Sequence, residues 1–257
     1  MMSTSFSWSI PGPDGSVPAV VHLPEQTPAP VVVCCHGLLS YKGSSKFVAI
    51  GEMYVGEGLA VVRFDFPGCG ESQTVQRESL LFSRLRDLRV VLDWVQEQPW
   101  FDGKIGLLGS SLGGYLSLLT AASVRSRVQA VVCWATPFDL SRIKLALEET
   151  EELRAAFPPG LPLGSPPHLL ELPPVPGVLV IHGQEDETVS WREALAIYRQ
   201  VAEPKRLLLM KTADHRLLDP LWRETAMKVS LRWFQERGLT CGFAGRPADS
   251  SIPDSGL

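Results

Sequence analysis

The chain consists of short apolar runs separated by longer segments that carry apolar residues on one face only. Six runs have the length of strands, and the first of them, at 31–35, is rich in valine and has no polar alternation. Continuous apolar runs of this kind are typical of strands that are covered on both faces of a sheet. We therefore predict strands at 31–35, 59–64, 104–108, 128–134, 177–181 and 206–210.

The start of the chain follows a different pattern. Residues 5–10 and 16–23 alternate or run apolar, and the segment between them, at 11–15, reads Pro-Gly-Pro-Asp-Gly. Proline, glycine and aspartate favour tight turns, so this pattern predicts an antiparallel hairpin. We expect the hairpin to form an edge of the sheet.

Helical periodicity is found in the segments between the later strands. It is clearest at 81–95, where apolar residues recur at alternating steps of four and three. Further helices are predicted at 44–54, from 112 onward, at 191–201 and at 217–237. Strands and helices that alternate in this way imply right-handed crossovers and a parallel sheet. The fold class predicted from the pattern is therefore α/β.

The alternation breaks between 138 and 176. Residues 140–156 can form one or two charged helices, whose glutamates are typical of a solvated face rather than a metal site. The rest of this stretch is dense in proline, which opposes regular structure. We interpret 138–176 as a small lid within one domain that spans 1–238, and 239–257 as a disordered tail.

Composition and charge narrow the possible functions. The chain has 257 residues, of which 45% are hydrophobic, and this fits one globular domain. A formal net charge of −4 and the lack of a basic cluster argue against a nucleic-acid partner. No segment approaches the ~20 apolar residues of a membrane span. Three of the five cysteines, Cys34, Cys35 and Cys133, fall in apolar runs, which favours a reducing cytoplasm over a disulfide framework.

Candidate chemistry is concentrated at Gly109-Ser110-Ser111-Leu112-Gly113, between a predicted strand and a predicted helix. The G-x-S-x-G spacing is typical of a strand-to-helix turn so sharp that the middle serine is strained and its hydroxyl is exposed. A side chain at either glycine would collide with neighbouring backbone. Ser111 is therefore the candidate nucleophile, although such short patterns also occur in ordinary glycine-rich and serine-rich loops.

A serine hydroxyl needs a base to remove its proton and a third group to orient that base. His215 follows the last predicted strand, and in a parallel sheet the loops after the strands meet at one edge, where Ser111 also lies. We predict His215 as the base, because the other histidines lie in the hairpin, in the proline-rich stretch or before a glycine at a strand end. The acid is expected in the loop after the preceding strand, where Asp186 is the prediction and Glu185 the alternative.

The oxyanion that forms when the serine attacks a carbonyl needs two fixed donors. We predict the backbone N–H of Leu112, which follows the candidate nucleophile, and that of Leu38, in the loop after the third strand. The substrate pocket is predicted to be mostly apolar, with Leu39 and Phe138 in its lining together with parts of the insertion. A pocket of this kind favours uncharged acyl or aryl esters.

Several motifs follow one another along residues 5–237: His36-Gly37, the glycine-rich segment 64–72, Gly109 to Gly114, His182-Gly183 with Asp186 and Val189, and Asp214-His215. In this order they resemble the serine hydrolases of the α/β-hydrolase fold, and most of all the compact small-lid esterases of the feruloyl/cinnamoyl-esterase-like and serine-aminopeptidase-like groups. The resemblance implies a mostly parallel eight-stranded sheet with an antiparallel N-terminal edge hairpin, helices on both faces and a small lid insertion. The chain departs from those esterases at Leu112, where they often carry glutamine.

These observations lead to one main hypothesis and two alternatives. The main hypothesis is a carboxylic-ester hydrolase that acts on a small-molecule ester through an acyl-enzyme, without a cofactor or a metal. The sequence contains neither H-E-x-x-H nor C-x-x-C, and the segment 65–72 lacks the Lys-Ser/Thr pair of a nucleotide loop. The same serine chemistry also serves a peptidase, a thioesterase or an acyltransferase. A non-catalytic binding scaffold is the remaining alternative.

Overall fold

A computed structural model of the chain describes residues 4–73, 79–124, 126–141, 143, 145, 151, 162–166 and 168–240. The strands are β1 (Thr4–Gly12), β2 (Gly15–Leu23), β3 (Ala29–Cys35), β4 (Ala60–Phe64), β5 (Phe101–Ser110), β6 (Ala130–Trp134), β7 (Val178–Gly183) and β8 (Lys205–Met210). The helices are α1 (Ser45–Gly56), α2 (Leu80–Gln96), α3 (Leu112–Ser123), α4 (Trp191–Gln200) and α5 (Pro220–Glu236).

The eight strands form one sheet in the order β1-β2-β4-β3-β5-β6-β7-β8. The first two strands pair as an antiparallel hairpin, and β2 also runs antiparallel to β4. All other neighbours, from β4 to β8, are parallel. The predicted fold, a mostly parallel sheet with an antiparallel hairpin at its edge, is confirmed.

Helices cover both faces of this sheet, because alternate residues of each central strand face opposite sides. In β3, Val31 and Val33 belong to a core that includes residues of α2, α3 and α4, whereas Val32 and Cys34 belong to a core with α1 and α5. Every residue of β3 is buried, which explains why its sequence shows no polar alternation. The three cysteines predicted to be buried in strands are buried.

The last helix begins later than the periodicity predicts. Leu217 and Leu218 continue the apolar pattern, but Leu217 has a φ of 53°, which is incompatible with a helix. Asp219 caps the helix by accepting a hydrogen bond from the N–H of Leu221, and Pro220 occupies the first turn, where its missing N–H costs nothing. The residues before Asp219 are therefore free to form a loop beside the sheet edge.

The lid and the tail lie largely outside the described residues. Within the predicted lid, the structure has a 3₁₀ turn at Leu169–Glu171, whose N–H of Leu170 donates to the ring of His168. Most of the charged helices predicted at 140–156 and most of the predicted tail are not described. Leu239 falls within the predicted tail but is buried in the core that contains α5, so the packed chain extends at least to this residue. No described helix is long and apolar enough to cross a bilayer.

Candidate active site

Ser111 lies between β5 and α3 in a conformation that residues other than glycine rarely adopt, with φ 54° and ψ −126°. This turn requires glycine on both sides, because a Cβ on Gly109 would clash with the backbone of Gly113, and one on Gly113 would clash with the carbonyl of Cys35. A backbone of this kind costs about 1–3 kcal/mol and persists only where the surroundings impose it. The hydrogen bond from the N–H of Ser111 to the carbonyl of Trp134, 2.8 Å long, is one such constraint.

His215 and Asp186 are joined by a hydrogen bond between the loops that follow β8 and β7. His215 Nδ1 lies 2.8 Å from Asp186 Oδ2, and the carboxylate is fully buried while the imidazole is partly exposed. A carboxylate accepts hydrogen bonds only, so the proton of a neutral His215 lies on Nδ1 and Nε2 is left to accept a proton. Glu185, the alternative acid, has an exposed side chain.

The carboxylate of Asp186 is stabilised in its ionised form. Its Oδ1 accepts from the backbone N–H groups of Thr188 and Val189, at 2.9 and 2.7 Å, and His182 Nε2 lies 3.0 Å from Oδ2. Burial by itself raises the pKa of this carboxyl group. The hydrogen bonds from His182 and His215 outweigh burial, and together with the Val189 amide they hold the pKa well below its usual range.

His182 is a site residue whose role the sequence did not indicate. His182 is the residue before the last in β7 and its ring is fully buried; Nε2 lies 2.9 Å from the carbonyl oxygen of Val189 as well as beside Asp186. A nitrogen between two acceptors carries the proton, so His182 donates from Nε2 and stabilises Asp186 at Oδ2, the same oxygen that His215 contacts. The only signal in the sequence is a His-Gly pair at a strand end shortly before the acid.

The peptide between Gly37 and Leu38 is held by its carbonyl group. The carbonyl oxygen of Gly37 accepts from His36 Nδ1 at 2.8 Å and from Arg84 Nη1 at 3.4 Å. In a trans peptide the C=O and the following N–H point in opposite directions, so the N–H of Leu38 points away from these two donors. A Cβ on Gly37 would lie 3.9 Å from Ser111 Oγ, so this peptide lies next to the candidate nucleophile.

His36 and Arg84 form the support behind that peptide. Burial, and then the charge of Arg84, lower the pKa of His36 to about 3, so its ring is neutral; Nδ1 donates and Nε2 accepts from the N–H of Phe66 at 2.9 Å. Arg84 is fully buried on α2 and also donates from Nη2 to the carbonyl of Leu38 at 3.1 Å. The signal for Arg84 in the sequence is a charged residue three positions after Leu81, where the helical period places an apolar one.

The second predicted oxyanion donor is the N–H of Leu112, the first residue of α3. Helix N-termini present unpaired N–H groups and a partial positive charge. In the described part of the chain, neither this amide nor that of Leu38 donates to another backbone carbonyl. Leu112 directly follows Ser111 and Leu38 lines the same cavity, so two amides that have no backbone acceptor among the described residues are available to stabilise a negative oxygen near Ser111.

Ser111 and His215 line one cavity of about 530 Å³, together with Leu38 and Leu39. No hydrogen bond joins Ser111 Oγ to His215 across the residues that the structure describes; such contacts are often long in a free enzyme and shorten when substrate binds. Phe138 is not among the described lining residues, and its ring instead packs edge-on against that of His168, with the centroids 5.0 Å apart.

The prediction of a mostly apolar pocket is incomplete. Five charged side chains also line the cavity: Lys46, Asp139, Glu193, Arg216 and Arg223. They are contributed by α1, by the start of the lid, by α4 and by the chain after β8, segments that lie far apart in sequence. Among the described residues, no group of three or more histidine, cysteine, aspartate or glutamate side chains is arranged to hold a metal ion.

Comparison with known proteins identifies relatives of this chain. A model of the family described as X-Pro dipeptidyl-peptidase (S15 family) matches residues 14–146, which is more than half of the chain and includes the turn at Ser111. A human protein named palmitoyl-protein thioesterase ABHD10, mitochondrial, is 26% identical over 214 residues, covering 74% of this chain and 68% of that protein.

Solved structures with the same fold cover nearly the whole chain. Alpha/beta hydrolase domain-containing protein 10 from mouse has a TM-score of 0.70 at 22% identity, covering 91% of this chain and 99% of that one. Est1E from Butyrivibrio proteoclasticus, solved with ferulic acid bound, has a TM-score of 0.70 at 20% identity, covering 89% and 99%. The chain therefore belongs to the S15 peptidase family and is a hydrolase of the α/β-hydrolase class.

Proposed function

We propose that this protein hydrolyses carboxylic esters through an acyl-enzyme, with Ser111 as nucleophile, His215 as base and Asp186 as the acid that orients the base. One observation supports the proposal above all others. A serine held in a strained strand-to-helix turn shares a cavity with a histidine whose Nδ1 is bonded to a buried, ionised carboxylate. This combination is the requirement for making a serine hydroxyl nucleophilic at neutral pH.

In the proposed mechanism, Ser111 Oγ attacks the ester carbonyl while His215 Nε2 accepts its proton. Asp186 stabilises the resulting imidazolium through Nδ1. The N–H groups of Leu38 and Leu112 bind the oxyanion, and the loss of one such donor typically costs about 3 kcal/mol of transition-state stabilisation. His215 then protonates the leaving alcohol and activates a water molecule that releases the acid and restores Ser111.

The alternatives differ from this proposal in the bond that is cleaved. The description of the family names an X-Pro dipeptidyl-peptidase, and the human relative is named a thioesterase. Peptidase and thioesterase activity are therefore the competing proposals. A panel of one acyl group presented as an oxygen ester, a thioester and an amide tests them directly. We expect the highest kcat/KM for the oxygen ester; a higher value for the thioester or the amide would replace the proposal by that activity.

Reaction with a fluorophosphonate tests whether the protein is an enzyme at all. We expect wild-type protein to be labelled and to turn over esters, and the Ser111→Ala variant to be unlabelled with activity reduced by about 10⁴-fold or more. Protein that folds but does not react would indicate a binding scaffold instead. The location in a reducing cytoplasm, expected from the cysteines, stays part of the proposal, and fractionation of cells that express the protein tests it.

A further inference from the structure

Three basic side chains line the cavity beside Ser111. Lys46 lies in the first turn of α1, Arg216 directly follows His215, and Arg223 lies on α5. All three line the same cavity, and the charges of Arg216 and Arg223 both act on Lys46. We call these three residues the basic side of the cavity.

None of the three forms an ion pair with a carboxylate within the described ranges. Lys46 Nζ donates to the neutral hydroxyl of Ser110, at 2.7 Å. Arg223 donates to two backbone carbonyls, from Nε to Leu217 at 3.0 Å and from Nη2 to Leu218 at 3.2 Å. Positive charge is therefore collected here without a bonded counter-ion.

The protonated form of Lys46 is favoured less than that of an exposed lysine. Burial, and then the charges of Arg223 and Arg216, lower the pKa of its ammonium group to about 8, while Asp214 acts in the opposite direction. The carboxylate of Asp214 also accepts from the N–H of Leu218 at 2.9 Å. An anion bound beside Lys46 would favour its protonated form and offset the repulsion among the three cations.

The two acids that line the same cavity are bonded elsewhere. Glu193 Oε2 accepts from the N–H groups of Phe138 and Asp139, at 2.8 and 3.2 Å. Asp139 accepts from the N–H and the hydroxyl of Ser141, at 2.9 and 2.7 Å. These hydrogen bonds attach both carboxylates to the start of the lid rather than to the basic side. The remaining lining includes Leu38 and Leu39, so the cavity has an apolar part and a cationic part.

We propose that the substrate is an ester carrying an anionic group, a carboxylate or a phosphate, that binds the basic side of the cavity while Leu38 and Leu39 contact its apolar part. This inference rests on the proposed esterase function and names its substrate class. It replaces the expectation from sequence that uncharged esters are preferred, since that expectation did not include the three cations. Long cationic side chains near bound anions also steer charged substrates to the site.

A pair of esters matched in length provides the test. The 4-nitrophenyl monoester of glutaric acid and 4-nitrophenyl pentanoate share a five-carbon acyl chain and differ in a terminal carboxylate. We expect kcat/KM to be at least about tenfold higher for the anionic ester at low ionic strength, and the ratio to fall as salt is added. A third ester with a terminal phosphonate distinguishes the two anions, and a preference for either one over the neutral ester supports the proposal.

Variants tie the preference to the basic side. We expect Lys46→Met and Arg216→Gln each to lower the anionic-to-neutral ratio of kcat/KM by about tenfold, and Lys46→Arg and Arg216→Lys to retain most of it. The ratio is measured within each variant, so a general loss of folding or catalysis cancels. Arg232→Gln removes the same charge from an exposed position on α5 and is expected to leave the ratio unchanged.

The outcomes separate this inference from the function on which it rests. If wild-type protein hydrolyses none of the esters, or if Ser111→Ala retains the activity, the proposed function fails and the substrate class fails with it. If wild-type protein hydrolyses the esters at Ser111 but prefers the neutral one, the inference alone is overturned. It is also overturned if Lys46→Met and Arg216→Gln alter the ratio no more than Arg232→Gln does.

Discussion

The chemistry of single residues in this site depends on which nitrogen of each histidine carries a proton. His215 donates from Nδ1 to a carboxylate, and His182 donates from Nε2 to the same carboxylate. His36 donates from Nδ1 to the carbonyl of Gly37 and accepts at Nε2 from an amide. In each case the neighbouring group selects the tautomer, so changing the neighbour is the direct way to test the residue.

The first prediction concerns the acid. Asp186→Asn replaces an acceptor by an amide that can donate to His215 Nδ1, which favours the tautomer with its proton on Nε2 and removes the charge that stabilises the imidazolium. We expect kcat to fall by roughly 10³- to 10⁴-fold with the protein still folded. Glu185→Gln is the matched control, measured in the same ester assay, and is expected to retain activity. The opposite result would assign the acid to Glu185.

The second prediction concerns His182, which contacts Asp186 and not the substrate cavity. Removing its Nε2 donor in His182→Leu leaves the buried carboxylate with one hydrogen bond fewer, so the pKa of Asp186 should rise and its hold on His215 should weaken. We expect about a tenfold loss of kcat with little change in KM. His182→Gln keeps a donor at a similar distance along the side chain and should recover most of the loss. Equal losses in both variants would mean that the ring is needed for packing alone.

At the scale of secondary-structure elements, the site is assembled from loops whose positions are set by buried groups behind them. Arg84 is an instance, because a guanidinium on α2 holds the carbonyls of Gly37 and Leu38 and so orients the amide proposed as an oxyanion donor. A fully buried cation is costly unless its donors are used. Its presence on the apolar face of α2 is therefore explained by the loop that it holds.

The third prediction tests this support. Arg84→Met keeps much of the side-chain volume but removes the donors to both carbonyls, so the loop should lose its fixed orientation. We expect kcat to fall by about 10²-fold, together with a lower midpoint of thermal unfolding. Arg84→Lys keeps the cation but replaces the planar fork of donors, which contacts the two carbonyls from two different nitrogens, by donors on one nitrogen, and should give an intermediate kcat. A full kcat in Arg84→Met at a temperature where it is folded would contradict the role.

The strands were predictable because β3, β4, β6 and β7 are buried at every position, so a mostly apolar run identifies each of them even where it includes Arg63 in β4 or His182 in β7. The start of α5 was not, because Leu217 and Leu218 continue the apolar pattern while the cap at Asp219 decides where the helix begins. The turn at Ser111 was recognisable because its geometry requires glycines at fixed spacing.

The supporting residues of the site could not be predicted in the same way. Arg84, Lys46 and Arg216 act through contacts between elements that are distant along the chain. A local pattern shows that a charge is present but not what it faces. Arg84 faces the loop after β3, and Lys46 approaches residues that follow β8 only in the folded molecule.

At the scale of the whole molecule, buried histidines link folding to pH. His36 and His22 are both buried, and burial lowers their pKa values to about 3 and about 4, with charge effects from Arg84 and Arg63 acting in the same direction. In the unfolded chain each titrates near 6.5. Below pH 6.5 the unfolded chain therefore binds protons that the folded protein does not, and acid favours unfolding.

The last prediction follows from that difference in bound protons. Above pH 6.5, the contribution of His22 and His36 to the free energy of unfolding should be nearly independent of pH. Below that value it should fall with a slope that approaches about 1.4 kcal/mol per pH unit for each of the two histidines, until the folded pKa is reached. Denaturant unfolding between pH 4.5 and 8 measures this slope.

A variant at His22 isolates the contribution of this residue to the pH dependence of stability. His22 accepts from Arg63 Nε at 3.0 Å, and His22→Gln keeps an oxygen acceptor there without a group that titrates. We expect the free energy of unfolding of this variant to fall less steeply between pH 6.5 and about 4, by up to about 1.4 kcal/mol per pH unit, which is the contribution of one histidine. Its stability at pH 8 should be lowered only modestly. Asp186 lowers the free energy of unfolding only at more acidic pH. Its pKa is depressed in the folded protein, so its contribution is lost only where the carboxyl group of the unfolded chain becomes protonated. If the slope of His22→Gln matched that of the wild type, His22 would have the same pKa in the folded and the unfolded protein. Its burial beside Arg63 would then contribute nothing to the pH dependence of stability.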